Sequence, residues 1–280
     1  MGSRTAKTPA TLRLFDINPE PEFLSQKDAV IFHHVVAKLL WASLRARPDI
    51  LLAVSFLTSR VKKPDTDDWG KLVRLILYIK CTLELLLRLS ADNLRIQKWW
   101  IDASFGTRDN FKSHTGGCMS LGAGAIISVS KKQKLNTKSS TEAELVGVDD
   151  VLPQVLWTRQ FLLHQGWELA DNIVYQDNKS AILLESNGMS SSSKQTRHIN
   201  IRFFFIKDRI EAGEISVKYC PTDDMWGDYF TKPLQGSRFL KIRQIIMNEP
   251  GERSVLEDEL NSQEIIQSSE SDGTGSKVES

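Results

Sequence analysis

The chain has 280 residues, of which 41% are apolar and 25% charged. That is the balance of an ordinary soluble protein, long enough to bury a substantial core as one or two domains. No apolar run reaches the ~18 residues of a membrane-spanning helix. No basic stretch followed by an apolar one marks a secretory signal. MGSRTA starts like a myristoylation signal, but Ala6 stands where Ser or Thr is required. Cys81, Cys118 and Cys220 have neither C-x-x-C spacing nor the density of a disulfide framework. A reducing, intracellular and cytoplasmic setting is therefore expected. The net charge of +1 is unevenly divided: residues 249–280 carry nine Asp/Glu against two Lys/Arg, which leaves residues 1–248 near +8. A basic body suits a nucleic-acid partner, although such an excess also occurs on ordinary surfaces.

In chain order, residues 1–27 are Pro-rich and polar and read as an extended leader. Residues 28–95 read as an all-helical module. DAVIFHHVVAKLLWASL has helical periodicity, Pro48 interrupts it, and DILLAVSFLTSRV resumes it until Pro64. Asp65, Thr66 or Asp67 caps a third helix, DWGKLVRLILYIKCTLELLL.

From residue 97 the pattern changes. KWWIDAS, GCMSL and GAIISVS read as three strands, with Gly122-Ala123-Gly124 as a simple hairpin turn rather than a phosphate loop. A long helix follows, opened by a capping box of Ser139 with Glu142 and kinked at Pro153. Then come the strand NIVYQD, the helix NKSAILLES, the loop NGMSSSSKQ, the helix TRHINIRFFFIKDRIEAG and the strand EISVKYC. A helix from about Asp223 through Thr231 and a last one, SRFLKIRQIIMN, close the domain at 248; residues 249–280 read as an acidic disordered tail. This order of elements implies an α/β fold with a mixed sheet flanked by helices.

Four acidic residues stand out: Asp102 in WWIDASFG, Glu144 in KSSTEAELVGV, Asp177 in IVYQDNKSAI and Asp228 in MWGDYFTKPL. Asp102 and Asp177 each end an apolar strand, which can bring both carboxylates to one sheet edge; taken alone, each is more simply the start of a turn or the cap of the next helix. Glu144 lies in line with Val148, Val151 and Val155, the helical stripe that must face the sheet. Glu142 shares the solvated side with Asp149 and Asp150. A buried glutamate needs a compensating charge, and a metal ion would supply one. Asp228, one helical turn after Asp224, carries the weakest signal of its own.

These residues carry a resemblance. The stretches DASFGTRDNFKSHTGG, SKKQKLNTKSSTEAEL, YQDNKSAI, TRHINIRFFFIKDRIEAGEI and DYFTKPL resemble the ribonuclease H domain of copia-type LTR retrotransposon Pol polyproteins. VVAKLLWASLRARPDILLAVSFLTSRV and WGKLVRLILYI resemble the C-terminal end of the reverse transcriptase region of the same polyproteins. The resemblance implies a ribonuclease H-like, mixed five-stranded sheet over 97–248, flanked by helices and preceded by the small all-helical module. It implies that Asp102, Glu144, Asp177 and Asp228 are both the catalytic residues and the metal ligands. Two Mg²⁺ ions, about 4 Å apart and replaceable by Mn²⁺, would clamp the scissile phosphate. The implied substrate is the RNA strand of an RNA–DNA hybrid. The implied partner is the polymerase part of a reverse transcriptase, in cytoplasm or virus-like particles, with the nucleus as an alternative. No membrane partner is implied.

The chain departs from the family pattern at Gly227, where an Ala usually precedes the aspartate, at Trp226 before it, and at Pro153. The polymerase motif, an aromatic followed by x-Asp-Asp, is missing, so the chain is not expected to polymerise DNA by itself. Lys131, Lys132, Lys134 and Lys138 either contact phosphates or form a solvated loop. Arg197 and His198 either cap a helix or touch substrate. Trp99 and Trp100 read as sheet packing, and Phe203, Phe204 and Phe205 as core. Two other functions compete with the nuclease: a non-catalytic nucleic-acid-binding remnant, and an integrase or transposase core built on Asp149 and Glu185, which have 35 residues between them.

Overall fold

The computed structural model describes residues 5–108, 110–187 and 197–250, with the side chains of 186–187, 197–201 and 203 left out. The acidic tail from 251 onward and most of the loop NGMSSSSKQ fall outside the described residues.

Helix α1 (Gln26–Arg45) is capped by the Ser25 side chain, which accepts from the Asp28 N–H. A 3₁₀ turn at Pro48–Ile50 leads into α2 (Leu51–Thr58), an almost wholly apolar segment buried on most sides. Asp65 and Asp68 form a reciprocal capping box that opens α3 (Thr66–Lys80). This helix stops at Lys80 instead of running on to Leu87. Arg47 captures both the carbonyl and the hydroxyl of Thr82, at 3.0 Å and 2.7 Å, and withdraws that residue from the helical ladder.

The short strand β1 (Ser90–Ala91) precedes β2 (Ile96–Ser104), β3 (His114–Ser120), β4 (Gly122–Ala123) and β5 (Ile127–Lys132). The Gly122–Gly124 string is therefore more than a turn. β4 pairs with β1, so closely that a Cβ on Gly122 would lie 2.4 Å from the Asp92 nitrogen. After α4 (Ser140–His164) come β6 (Asp171–Gln176), α5 (Lys179–Asn187), α6 (Arg197–Glu211), β7 (Ser216–Tyr219) and α7 (Gly236–Met247). α4 continues through Pro153. The segment expected to be one helix at 223–231 is two 3₁₀ turns, Thr222–Asp224 and Trp226–Phe230, split at Met225, whose ψ of 94° is extended.

The main sheet has five strands in the order β5-β3-β2-β6-β7. β5, β3 and β2 are antiparallel neighbours, while β2–β6 and β6–β7 are parallel. This is the mixed five-stranded sheet with flanking helices, preceded by a helical module, that the sequence predicts. Alternation along β2 sends its side chains to two cores. Trp99 and Ile101 join Val148, Val151 and Val155 of α4, with Ile206 and Ile215. Trp100 joins Cys118, Phe230 and α7 residues in a core continuous with Phe32, Val36 and Leu75 of the helical module. The leader is built into this second core: Ala6, Ala10 and Leu14 are buried, and Thr8 and Ala10 meet Gln235 through hydrogen bonds of 3.0 and 2.9 Å. Phe204 and Phe205 do not enter a core and are 49% and 40% exposed, because the inward stripe of α6 is carried by Ile206 and Ile210.

Candidate active site

β2 and β6 pair in parallel only as far as Trp100 and Tyr175. Past that register the pairing ends, at the carboxyl ends of two parallel strands, where sites in such sheets commonly form. Asp102 lies on β2 and Asp177 immediately after β6. The Ala103 N–H lies past the last β2–β6 pair. Glu144, in the second turn of α4, takes that N–H through Oε2 at 3.0 Å. Glu144 thus faces the sheet and is 6% exposed, while Glu142 caps the helix start, accepting from the Lys138 N–H at 2.7 Å. One carboxylate oxygen from each of Asp102, Glu144 and Asp177 lies within 4.8 Å of the others.

Burial and neighbouring carboxylates disfavour the ionisation of Asp102 and Glu144. Burial raises the Asp102 carboxyl to about 6, with Lys232 opposing the rise and the charges of Asp228 and Asp177 adding to it. Glu144 is pushed well above its ordinary value, first by burial and then by Asp102 and Asp177. An all-oxygen set of crowded, buried carboxylates fits a hard divalent cation, whose charge would relieve the repulsion.

Asp228 is fully buried near this trio but is engaged otherwise. Its two oxygens pair with Lys232, one helical turn on, and with Arg238 at the start of α7. Lys232 also reaches Asp102 at 3.5 Å, and the Thr231 hydroxyl donates to Asp102. Burial alone would lower Lys232, but Asp102 and Asp228 raise it overall. The 228–232 segment is pinned to the sheet. The Ser130 hydroxyl donates to the Phe230 carbonyl at 2.8 Å, and His114, buried against Arg108, holds Ser130 from its other ring nitrogen at 2.8 Å. Gly116 makes the approach possible, since a Cβ there would lie 2.7 Å from the Phe230 carbonyl carbon. Trp226 stacks on Trp100 at 3.7 Å, and Trp100 on Tyr175 at 5.2 Å. Gly227 packs tightly beside that stack: a Cβ there would lie 2.8 Å from the Asp102 Cβ and 2.9 Å from its nitrogen, so a side chain at 227 forces a shift.

Of the basic residues, Lys131, Lys134 and Lys138 are exposed and Lys132 is half-buried, on the stretch from the end of β5 to the start of α4. Lys131 donates to the Asp150 carbonyl at 2.8 Å. Arg197 and His198 open α6, but their side chains are outside the described residues. Asp149 and Asp150, expected on the solvated side, are half-buried: Asp149 pairs with Arg202, and Asp150 accepts from Thr115 at 3.4 Å. Glu185 is completely buried in α5, with neither carboxylate oxygen hydrogen-bonded among the described residues. Neither Asp149 nor Glu185 joins the acidic trio. Lys232, Thr231 and Arg238 are the site residues that the sequence reading missed. The i,i+4 spacing of Asp228 and Lys232 was a usable signal; the Arg238 contact depends on how α7 docks.

No protein-family model matches the chain. It is 28% identical over 218 residues to the retrovirus-related Pol polyprotein from transposon TNT 1-94 of Nicotiana tabacum, a match covering 78% of this chain. It is 30% identical over 214 residues to the corresponding polyprotein from transposon RE2 of Arabidopsis thaliana, a match covering 76% of this chain. The matches span only 16% and 14% of those relatives. Among solved structures, LC11-RNase H1 aligns with 49% of this chain and 93% of its own at 12% identity and a TM-score of 0.36. The N-terminal RNase H domain of a Mycobacterium tuberculosis protein aligns with 49% and 90% at 11% identity and a TM-score of 0.33. The homologues of this chain are thus the retrovirus-related Pol polyproteins of copia-type transposons, and it corresponds to a short section of them.

Proposed function

We propose that this chain is a divalent-metal-dependent endoribonuclease that hydrolyses the RNA strand of RNA–DNA hybrids, as the ribonuclease H section of a retrotransposon polyprotein. The observation that carries this reading is the convergence of Asp102, Glu144 and Asp177 within 4.8 Å at the carboxyl ends of β2 and β6. These three would hold the metal, and Mg²⁺ suits the donor set. When bound, such an ion lowers the pKa of water and offsets charge developing on the phosphate.

The chain's own residues do the rest. The Ala103 N–H fixes the Glu144 carboxylate, and the Thr222 hydroxyl, 3.1 Å away, fixes Asp177. Thr231 orients Asp102. Lys131, Lys134 and Lys138 offer sequence-independent phosphate contacts beside α4. The polymerase section of the same polyprotein is the proposed partner.

The test is cleavage of a strand-labelled hybrid by purified protein with Mg²⁺. RNA-strand cutting that disappears in Asp102→Asn is expected. No cutting, or cutting unaffected by that substitution, refutes the proposal. The capture of Asp228 by two cations is the observation that favours the competing reading, a non-catalytic remnant. Hybrid binding by folded protein without turnover would establish that reading instead.

A further inference from the structure

We infer that Lys232 takes the place of a second divalent ion, so that the site binds a single ion, at Asp102, Glu144 and Asp177. The inference rests on the metal-dependent reading above and departs from the two-ion arrangement implied by the resemblance. In a two-ion site the acid outside the trio would share the second ion with one of its members. Here the position between Asp102 and Asp228 is filled by a side chain. The Lys232 ammonium contacts Asp228 Oδ1 and lies 3.5 Å from Asp102 Oδ2. Arg238 takes the other oxygen of Asp228, and Thr231 donates to Asp102 Oδ2. Both Asp228 oxygens are therefore committed to cations that belong to the chain.

Charge balance points the same way. Asp102, Glu144, Asp177 and Asp228 bring four negative charges when ionised, and Lys232 and Arg238 bring two positive ones. One divalent ion closes the balance. Two would leave a surplus of two positive charges, of which a scissile phosphate offsets only one. Asp102, Glu144 and Asp228 are buried, so their charges feel such a surplus directly, while the Lys232 and Arg238 side chains, 41% and 40% exposed, feel it less. To swing aside, Lys232 would have to give up contacts to two buried carboxylates at once, Asp228 and Asp102, on a segment whose backbone is held by the Ser130 bond to Phe230. Lys232 is thus a positioning residue: it supplies fixed positive charge between Asp102 and Asp228, where a second ion would otherwise have to bind.

Direct Mn²⁺ titration of the whole chain, counting free ion by electron paramagnetic resonance, tests this without reference to activity. Wild type should bind one Mn²⁺ per chain, with any second ion at least tenfold weaker. Lys232→Met should gain a second ion at least tenfold tighter than that of wild type, while Lys232→Arg should keep the single-ion behaviour. Two ions of comparable affinity in wild type, or an unchanged stoichiometry in folded Lys232→Met, overturn the inference and leave the nuclease proposal standing. Should Lys232→Met fail to fold, the wild-type stoichiometry decides alone. Absence of any Mn²⁺ binding at millimolar ion overturns both.

Discussion

Glu185 provides a measurement of what an unpartnered buried carboxyl costs this fold. It is completely buried in α5, with no hydrogen bond to either oxygen among the described residues. Burial alone raises it from an ordinary 4.5 to about 8. The sign follows from linkage: the folded chain holds this proton more tightly than the unfolded chain. The associated stability is fully present below pH ~4.5 and is lost progressively as pH rises through the folded value near 8. With about 1.4 kcal/mol per pKa unit, the loss is about 1 kcal/mol at pH 5, about 3 at pH 7 and about 5 at pH 9. Glu185→Gln keeps the shape and cannot ionise. It should be more stable than wild type by a margin that grows across that range. Urea denaturation of both proteins at pH 5, 7 and 9 in EDTA measures it. Parallel curves, with a constant difference at all three pH values, would show that the carboxylate finds water or a partner when charged and would refute the reasoning.

Two further predictions concern the acidic site. Asp102→Asn should abolish the proposed cleavage yet melt higher than wild type in EDTA at pH 7, because the Asp102 carboxyl is raised to about 6 by burial and gives up stability as pH climbs through that value; thermal scans at pH 4, where the two should coincide, and at pH 7 check the sign. Gly227→Ala should destabilise the chain by about 1–3 kcal/mol, since its methyl would press on the β2 backbone at Asp102; denaturant midpoints measure the loss, and an unchanged midpoint would mean that β2 yields freely.

Asp102 and Asp177 were legible in the sequence because each closes an apolar strand run, and Glu144 because two-residue spacing on a helix separates it from Glu142 by nearly half a turn. These are local rules. What they could not convey was the state of Asp228. Its partner Lys232 is local, but Arg238 comes from α7, six residues further on, and a 3₁₀ turn with Trp226 stacked on Trp100 stands where a helix was expected. The third helix ran too far in the reading for the same kind of reason: apolar periodicity persists past Lys80, but Arg47, distant in sequence, removes Thr82 from it. Phe204 and Phe205 misled because hydrophobicity does not say which stripe of a helix meets the sheet. The leader's polar, Pro-rich composition suggested an extended segment, whereas three small or aliphatic residues, Ala6, Ala10 and Leu14, suffice to seat it on the helical core.

The stacked pair Trp100 and Trp226, 3.7 Å apart and inclined by only 12°, has an optical consequence. Two indoles at that separation couple electronically, and circular dichroism registers such coupling with a sign and size set by their distance and by the twist between their transition dipoles. Trp100 belongs to the strand that carries Asp102, and Trp226 sits two residues before Asp228. That signal therefore reads the relative placement of those two carboxylate-bearing segments. A ligand that shifts the Asp228 segment would announce itself spectroscopically with no label added, in the protein's own ultraviolet signature.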